Sequence, residues 1–201
     1  MARRLLRTAR RHREAVVGDQ PTTPSAILAR TREAWAALDA ALVHIDPGAM
    51  LRPHTPEGWS LRDILCHLGN PWLTAQIEAH LDGREPTMLS CYGHEVSVAP
   101  DEDMTTNDGR NAWHHRALRS LSLEQVHARY LDFRGRTEAL LLRLPETEGD
   151  VIYALVPFGD IGRVRPAPEG TPMSFPLWQW LRGETWHHFE DHLPAFQAAA
   201  R

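Results

Sequence analysis

Residues 122–145, SLEQVHARYLDFRGRTEALLLRLP, decide the fold class of this chain. Ser122 with Gln125 three residues later has the form of a capping box, which predicts a helix start, and Pro145 predicts the end of that helix. Between them a single stripe recurs at alternating spacings of four and three residues: Val126, Tyr130, Phe133, Thr137, Leu140 and Leu144. This period is typical of a helix that packs along one face of a bundle.

The same spacing occurs about a hundred residues earlier in the chain. Thr23 followed by Pro24 predicts a helix start, because Thr caps free backbone N–H groups and Pro suits the first helical position. The stripe behind it consists of Ile27, Thr31, Ala34, Leu38, Ala41 and Ile45. Pro47 and Gly48 are expected to end this first helix.

A second predicted helix begins at Ser60, which forms a capping-box pattern with Asp63. Pro71 lacks a backbone N–H group, so we expect a kink or a restart there, with Asn70 as the new N-cap. The helix then continues to Asp82.

The remaining segments complete the predicted architecture. Residues 84–109 and 146–171 contain the Pro and Gly of long connections, and a short helix is expected from Arg110 to Leu118. An apolar run at 151–158 is either a short strand or a plug over the bundle end. A fourth helix is expected from near Ser174 to about Ala199. The sequence thus predicts an all-α four-helix bundle at 23–201, with long connections between helices 2 and 3 and between helices 3 and 4.

The charged residues exclude several classes of function. All 22 basic residues are arginine, so the chain has no lysine for a Schiff base, a pyridoxal phosphate anchor or a Walker A phosphate loop. Six of these arginines lie within Met1 to Arg13, in a basic arm at 1–22 that we expect to be disordered. Residues 14–201 carry 16 arginines against 26 acidic residues, a formal charge of −10. A body of that sign repels phosphate backbones, so we expect no nucleic-acid partner for the main domain.

The expected location follows from apolar content and cysteine usage. No apolar run approaches the ~20 residues that cross a bilayer, and no signal-peptide pattern follows the N-terminus. Cys66 and Cys91 are too few for a disulfide framework. We therefore expect a cytoplasmic protein without a membrane partner.

Two histidines of the fourth predicted helix are candidate metal ligands. On a helical wheel His188 and His192 fall on the core-facing side, whereas His187 points outward. Imidazoles four residues apart on one helix reach a single metal ion, as in other i, i+4 pairs. The alternative is a pair of buried, hydrogen-bonded histidines. Glu184, four residues before His188, is either a general base, a partner of a ligand, or a solvated helix acid.

A third candidate ligand lies on the second predicted helix. His67 falls at the margin of its apolar stripe, where it either reaches inward at a helix interface or remains partly exposed beside the kink.

At these residues the chain resembles a known family. EGWSLRDILCHLGNPW (57–72) is similar to the second-helix signature of the DinB-like, damage-inducible four-helix bundles, and GETWHHFEDHLPAF (183–196) is similar to the last-helix signature of its ClbS/DfsB branch. The segment TTNDGRNAWHH (105–115) accompanies them before the third helix.

The spacing of four residues between Glu184 and His188 makes Glu184 the catalytic candidate. The resemblance implies a divalent metal held by His67, His188 and His192, and three imidazoles suit Zn²⁺, Ni²⁺ or Fe²⁺. It implies a metal-dependent hydrolase or detoxifying enzyme of stress-response type that acts on a small reactive molecule. The alternatives are a thiol S-transferase or isomerase of the same superfamily, or a non-catalytic small-molecule-binding stress protein. Family members are often dimers, so a homodimer is expected.

Overall fold

The computed structural model describes residues 20–95, 97–99, 101–104, 106–156 and 162–201. This part of the chain is mostly helical and carries one small sheet. In chain order its elements are α1 (Pro24–Leu42), α2 (Pro47–Leu51), α3 (Leu61–Leu68), α4 (Trp72–Leu81), α5 (Met88–Tyr92), α6 (Asn107–Leu118), α7 (Leu123–Arg143), a 3-10 turn (Glu146–Asp150), β1 (Ile152–Val156), β2 (Arg163–Pro166), β3 (Ser174–Pro176), α8 (Leu177–Glu184) and α9 (Trp186–Ala199).

The predicted basic arm lies almost wholly outside the described residues, as do positions 157 and 158 of the apolar run. Among the described helices, none is both long enough and apolar enough to span a bilayer.

The two predicted stripes form the centre of the core. Every position of the first stripe, on α1 and just beyond it, is at most 8 % exposed, and every position of the second, on α7 and its C-cap, is at most 5 % exposed. Both predictions are confirmed. The alternation of four and three residues places these side chains on one side of each helix, where burial removes them from water.

The predicted helix starts are confirmed by their hydrogen bonds. Ser60 and Asp63 cap each other's backbone N–H groups, and Ser122 and Gln125 do the same at the start of α7. The predicted cap at Asn70 is wrong. α4 begins after Pro71, which occupies the N-cap position itself and supplies no side-chain bond, so Asn70 lies one residue too early to cap.

Two boundaries of the predicted helices also differ. α1 ends at Leu42, before the predicted stop, and Pro47 begins the short helix α2 because Asp46 accepts hydrogen bonds from the backbone N–H groups of Gly48 and Ala49. Proline suits the first position of a helix as well as the residue after one.

A three-stranded sheet is added to the predicted helical architecture, which the mostly helical chain supports in its coarse form. β1 pairs antiparallel with both β2 and β3, in the order β2-β1-β3. The described part of the 151–158 run is thus a strand, and Ser174, expected to begin the last helix, opens β3. The partners come from separated segments, and a short apolar run does not reveal by its period whether it pairs.

Close packing brings the end of α3 against α7. The core is formed where α1 contacts α7 and α9 and where α3 contacts α7 and α9. At Gly69, the residue after α3, an added Cβ would lie 3.1 Å from the Tyr130 Cα atom of α7. The missing side chain lets the two backbones approach, and this approach sets the position of the last turn of α3.

Two glycines test this contact. We expect Gly69→Ala to lower the free energy of unfolding by about 1–3 kcal/mol, because the backbones must separate. Gly135 lies in the interior of α7, and a methyl group added to it would meet nothing within 4 Å, so Gly135→Ala should stabilise the protein by about 0.5–1 kcal/mol. Urea denaturation measures both, and a Gly69→Ala variant as stable as Gly135→Ala would contradict the close approach.

Candidate metal centre

The last two helices are separated by a break at Thr185. α8 ends at Glu184 and α9 begins at Trp186, with Thr185 at φ −122° and ψ −129° between them. The Thr185 side chain is buried, and its hydroxyl donates a hydrogen bond to the Leu181 carbonyl oxygen (2.6 Å). The predicted single helix is therefore two helices, and Glu184 and the histidines lie on opposite sides of the break.

Aromatic packing orients α9. Phe189 is buried, and its ring centroid lies 6.2 Å from those of Trp35 on α1 and Phe133 on α7. Because Phe189 faces the core, the preceding residue, His188, turns about 100° away toward the end of α3. His192 follows one turn later on the same side.

His67 enters from the last turn of α3. Its ring packs edge-on against Trp59 at a centroid distance of 5.7 Å. The ring lies 4.6 Å from that of His188 and 5.6 Å from that of His192. The structure thus brings the three sequence-predicted residues together.

The three imidazoles share a narrow space. One ring nitrogen from each lies within 4.8 Å of the others, and His67 Nε2 is 2.8 Å from His188 Nε2. A contact this short requires one of the two nitrogens to donate a proton and the other to accept it, so both rings cannot be charged. His187 instead places Nδ1 3.5 Å from an Asp191 carboxylate oxygen, away from the cluster, as the helical wheel predicts.

Burial keeps these rings neutral. It lowers the pKa of His67 to about 4, with a further contribution from the charge of His192. Burial lowers the pKa of His188 well below its ordinary value, and it also lowers the pKa of His192. A neutral imidazole offers the lone pair that a metal ion needs, so at neutral pH no proton competes for the site.

The donor set fits a divalent metal. Three imidazoles are the nitrogen ligands that Zn²⁺, Ni²⁺ and Fe²⁺ accept, and three protein ligands leave positions for water or substrate. His67 Nδ1 is buried and has no hydrogen-bond partner among the described residues.

A cavity of about 190 Å³ opens beside His67 and His188. Its walls are mainly polar and come from α3 to α6, from α8 and from α9. The other lining residues are Asn70, Trp72, Tyr92, Asn107, Arg110, Asn111, Gly183 and Glu184. Glu184 therefore borders the same space as two of the three histidines.

The pKa of Glu184 is raised well above its ordinary value. Its side chain is half-buried, and the protein atoms around its carboxyl raise its pKa to about 7, an effect that the positive charge of Arg110 partly offsets. A carboxyl that titrates near neutrality can both give and take a proton. The sequence alone leaves open a solvated acid, whereas the cavity places Glu184 beside the cluster.

Sequence reasoning missed the other polar residues of the cavity. Tyr92 falls in the segment 84–109, which the sequence predicts to be a connection. Asn70 is predicted only as a helix cap before Pro71. Arg110 lies on α6 within the TTNDGRNAWHH segment. The family resemblance of this segment could have pointed to Arg110, whereas its periodicity could not.

Solved structures show which fold this is. No protein-family model and no curated protein matches the chain. An uncharacterised protein from Escherichia coli UTI89 is similar, with 13% identity, a TM-score of 0.61, and coverage of 90% of this chain and 94% of that chain.

Two named proteins are similar to the same extent. The sibling lethal factor precursor DfsB has 14% identity and a TM-score of 0.60, with 89% of this chain and 95% of that chain covered. The colibactin self-resistance protein ClbS, solved in complex with a dsDNA, has 11% identity, a TM-score of 0.60 and the same coverage. The chain therefore has a ClbS/DfsB-like fold.

The ClbS complex corrects one expectation. The net charge of the body predicts no nucleic-acid partner, yet a protein of this fold binds duplex DNA. The prediction that the main domain has no nucleic-acid partner is wrong. Net charge averages over the whole surface, whereas phosphates are bound by local groups.

Glu184→Gln tests the raised pKa of this carboxyl. A glutamate whose pKa rises from 4.5 to about 7 on folding contributes stability below pH 4.5 and loses it as the pH rises through 7. Relative to Glu184→Gln, the metal-free protein should therefore lose about 2–3 kcal/mol of unfolding free energy between pH 4.5 and pH 8. Urea denaturation in EDTA across this range measures the difference. Parallel stability profiles would contradict the raised pKa.

Proposed function

We propose that this protein is a metal-dependent enzyme of hydrolase or detoxification type that acts on a small molecule in the cavity beside His67, His188 and His192. The observation that supports it most is that neutral imidazoles border the same cavity as an acid that titrates near pH 7. We further propose that α1, α3, α7 and α9 are the helices of a DinB-like four-helix bundle.

Each part of the site has a distinct task in this proposal. His67, His188 and His192 hold the metal, which when bound supplies an activated water and an electrophile for the substrate. Glu184 exchanges a proton with the reacting group. The walls of the cavity orient the substrate and limit the access of bulk water to the reacting atoms.

A thiol S-transferase is the second candidate from the same site. Arg110 supports it, because a cationic wall suits a low-molecular-weight thiol that carries a negative charge. The two candidates share the metal ligands and differ in the co-substrate. A thiol requirement for turnover therefore separates them.

Adjacent histidines provide an internal control for the metal site. We expect the purified metal-free protein to bind one Zn²⁺ or Ni²⁺ per chain. His188→Ala and His192→Ala should each abolish stoichiometric binding, since two remaining imidazoles rarely hold a catalytic ion tightly. His187→Ala should bind as the parent protein does, because His187 faces Asp191. Isothermal titration at neutral pH measures all three.

Circular dichroism establishes that each variant is folded before its titration is interpreted. Equal affinity in the three variants would contradict the metal site. A folded protein that binds no metal but retains small molecules in the cavity would favour the non-catalytic binding protein.

Duplex DNA is a further candidate ligand, because ClbS binds it with the same fold. We expect a fluorescein-labelled duplex to bind the full chain, and a chain that lacks residues 1–18 to retain binding. Phosphate contacts release counterions, so Kd should rise at least about tenfold between 50 and 200 mM salt. Fluorescence anisotropy measures both. Binding that disappears with residues 1–18 would assign it to the arm and contradict a DNA-binding body.

A further inference from the structure

Arg110 is a cationic group in the wall of the cavity. It lies on the first turns of α6, and its guanidinium carbon is 5.8 Å from the ring centroid of Trp72 on the same cavity wall. Its Nη1 donates to the Met104 carbonyl oxygen (2.9 Å), and its Nη2 donates to the Asn107 side-chain oxygen. These two acceptors hold the side chain in place and leave three of its five N–H groups for a ligand.

No carboxylate among the described residues pairs with Arg110. Both of its hydrogen-bond acceptors are uncharged, whereas Arg116, two turns later on the same helix, donates two hydrogen bonds to the Glu102 carboxylate. Arg110 does influence Glu184 and Tyr92 electrostatically, so its charge reaches the space between them. The cavity therefore contains a positive charge that forms no hydrogen bond with a carboxylate of the described residues, beside a Glu184 carboxyl that is partly protonated at neutral pH.

Two further polar groups border this space without a partner. Tyr92 is 1% exposed, and its hydroxyl forms no hydrogen bond within the described part of the chain. The side-chain oxygen of Asn70 is buried and likewise unpartnered. Buried polar groups are almost always hydrogen-bonded in folded proteins, so these two groups are available to water or to a ligand that occupies the cavity.

From this arrangement we propose that the cavity binds its substrate through an oxyanion, a carboxylate or a phosphate group, held by the Arg110 guanidinium and the Tyr92 hydroxyl. The planar guanidinium offers parallel N–H groups that match two oxygens of such a group. The Asn70 amide, which presents a donor or an acceptor by rotation, binds a neighbouring polar atom. The cavity volume corresponds to about six water molecules, so the substrate is small. The inference rests on the proposed function in taking this cavity as the substrate site.

Acetate and acetamide test the proposal because they share size and shape but differ in charge. The full chain is treated with EDTA, so that no metal ion binds the anion, and is titrated with acetate, inorganic phosphate and acetamide by NMR. We expect acetate or phosphate to saturate the protein and acetamide to bind at least tenfold more weakly. The stronger of the two anions identifies the oxyanion class.

Three variants locate the binding group. Arg110→Gln should weaken anion binding at least tenfold, whereas Arg119→Gln should leave it unchanged, since Arg119 follows the same helix with an exposed side chain. Tyr92→Phe removes only an unpartnered hydroxyl, so it should bind the anion more weakly while its stability is maintained. If Arg110→Gln fails to fold, Tyr92→Phe still tests whether the anion binds in this cavity.

A zinc titration of the same proteins separates this proposal from the proposed function. One result would overturn the oxyanion site and leave the metal enzyme intact: the protein binds zinc but binds acetate and acetamide with equal affinity. A protein that binds zinc and whose folded Arg110 and Tyr92 variants bind the anion as the parent does would have the same meaning. Arg110-dependent anion binding without any zinc binding would support the oxyanion site and overturn the metal enzyme.

Discussion

The burial of Phe189 constrains the candidate site more than any other single contact. Its ring packs among Trp35, Tyr130 and Phe133, so one face of α9 is committed to the core formed by α1 and α7. Because Phe189 is buried in this core, the rotation of α9 about its own axis is fixed. His188, the preceding residue on the helix, therefore faces the end of α3. Burying an aromatic side chain stabilises a fold by about 1.5–3 kcal/mol, so the histidine position is supported by core packing.

The charges of the site follow from this packing. Burial of the imidazoles favours their neutral forms, and burial of the Glu184 carboxyl favours its protonated form near neutrality. The cavity thus has neutral imidazoles and a partly protonated carboxyl beside Arg110, whose guanidinium pairs with no carboxylate among the described residues. The Arg110 side of the wall attracts an anion, and the imidazoles are unprotonated and can bind a metal ion. A substrate site of the proposed kind requires both properties.

Much of the helical framework could be predicted from the sequence. Capping at Ser60 and Ser122 and the two buried stripes depend on residues within a few positions of each other, so the local sequence specifies them. The sheet could not be predicted, because β1 pairs with strands from separate segments. The break at Thr185 could not be predicted either, since a buried hydroxyl bonded to the preceding turn gives no periodic signal.

The sequence by itself determined that His188 and His192 share one face of a helix and that His187 does not, because the helical period fixes these directions. Only the tertiary structure decided that His67 meets them and that Arg110, Tyr92 and Glu184 border one cavity. His67 meets the two histidines through the close approach of α3 to α7 at Gly69 and the core packing of α9, whereas Arg110 and Tyr92 reach the cavity through the contacts of α6 with α3 and of α5 with α4. Periodicity gives the direction of a side chain from its own helix, whereas the identity of its neighbour depends on how separate helices pack.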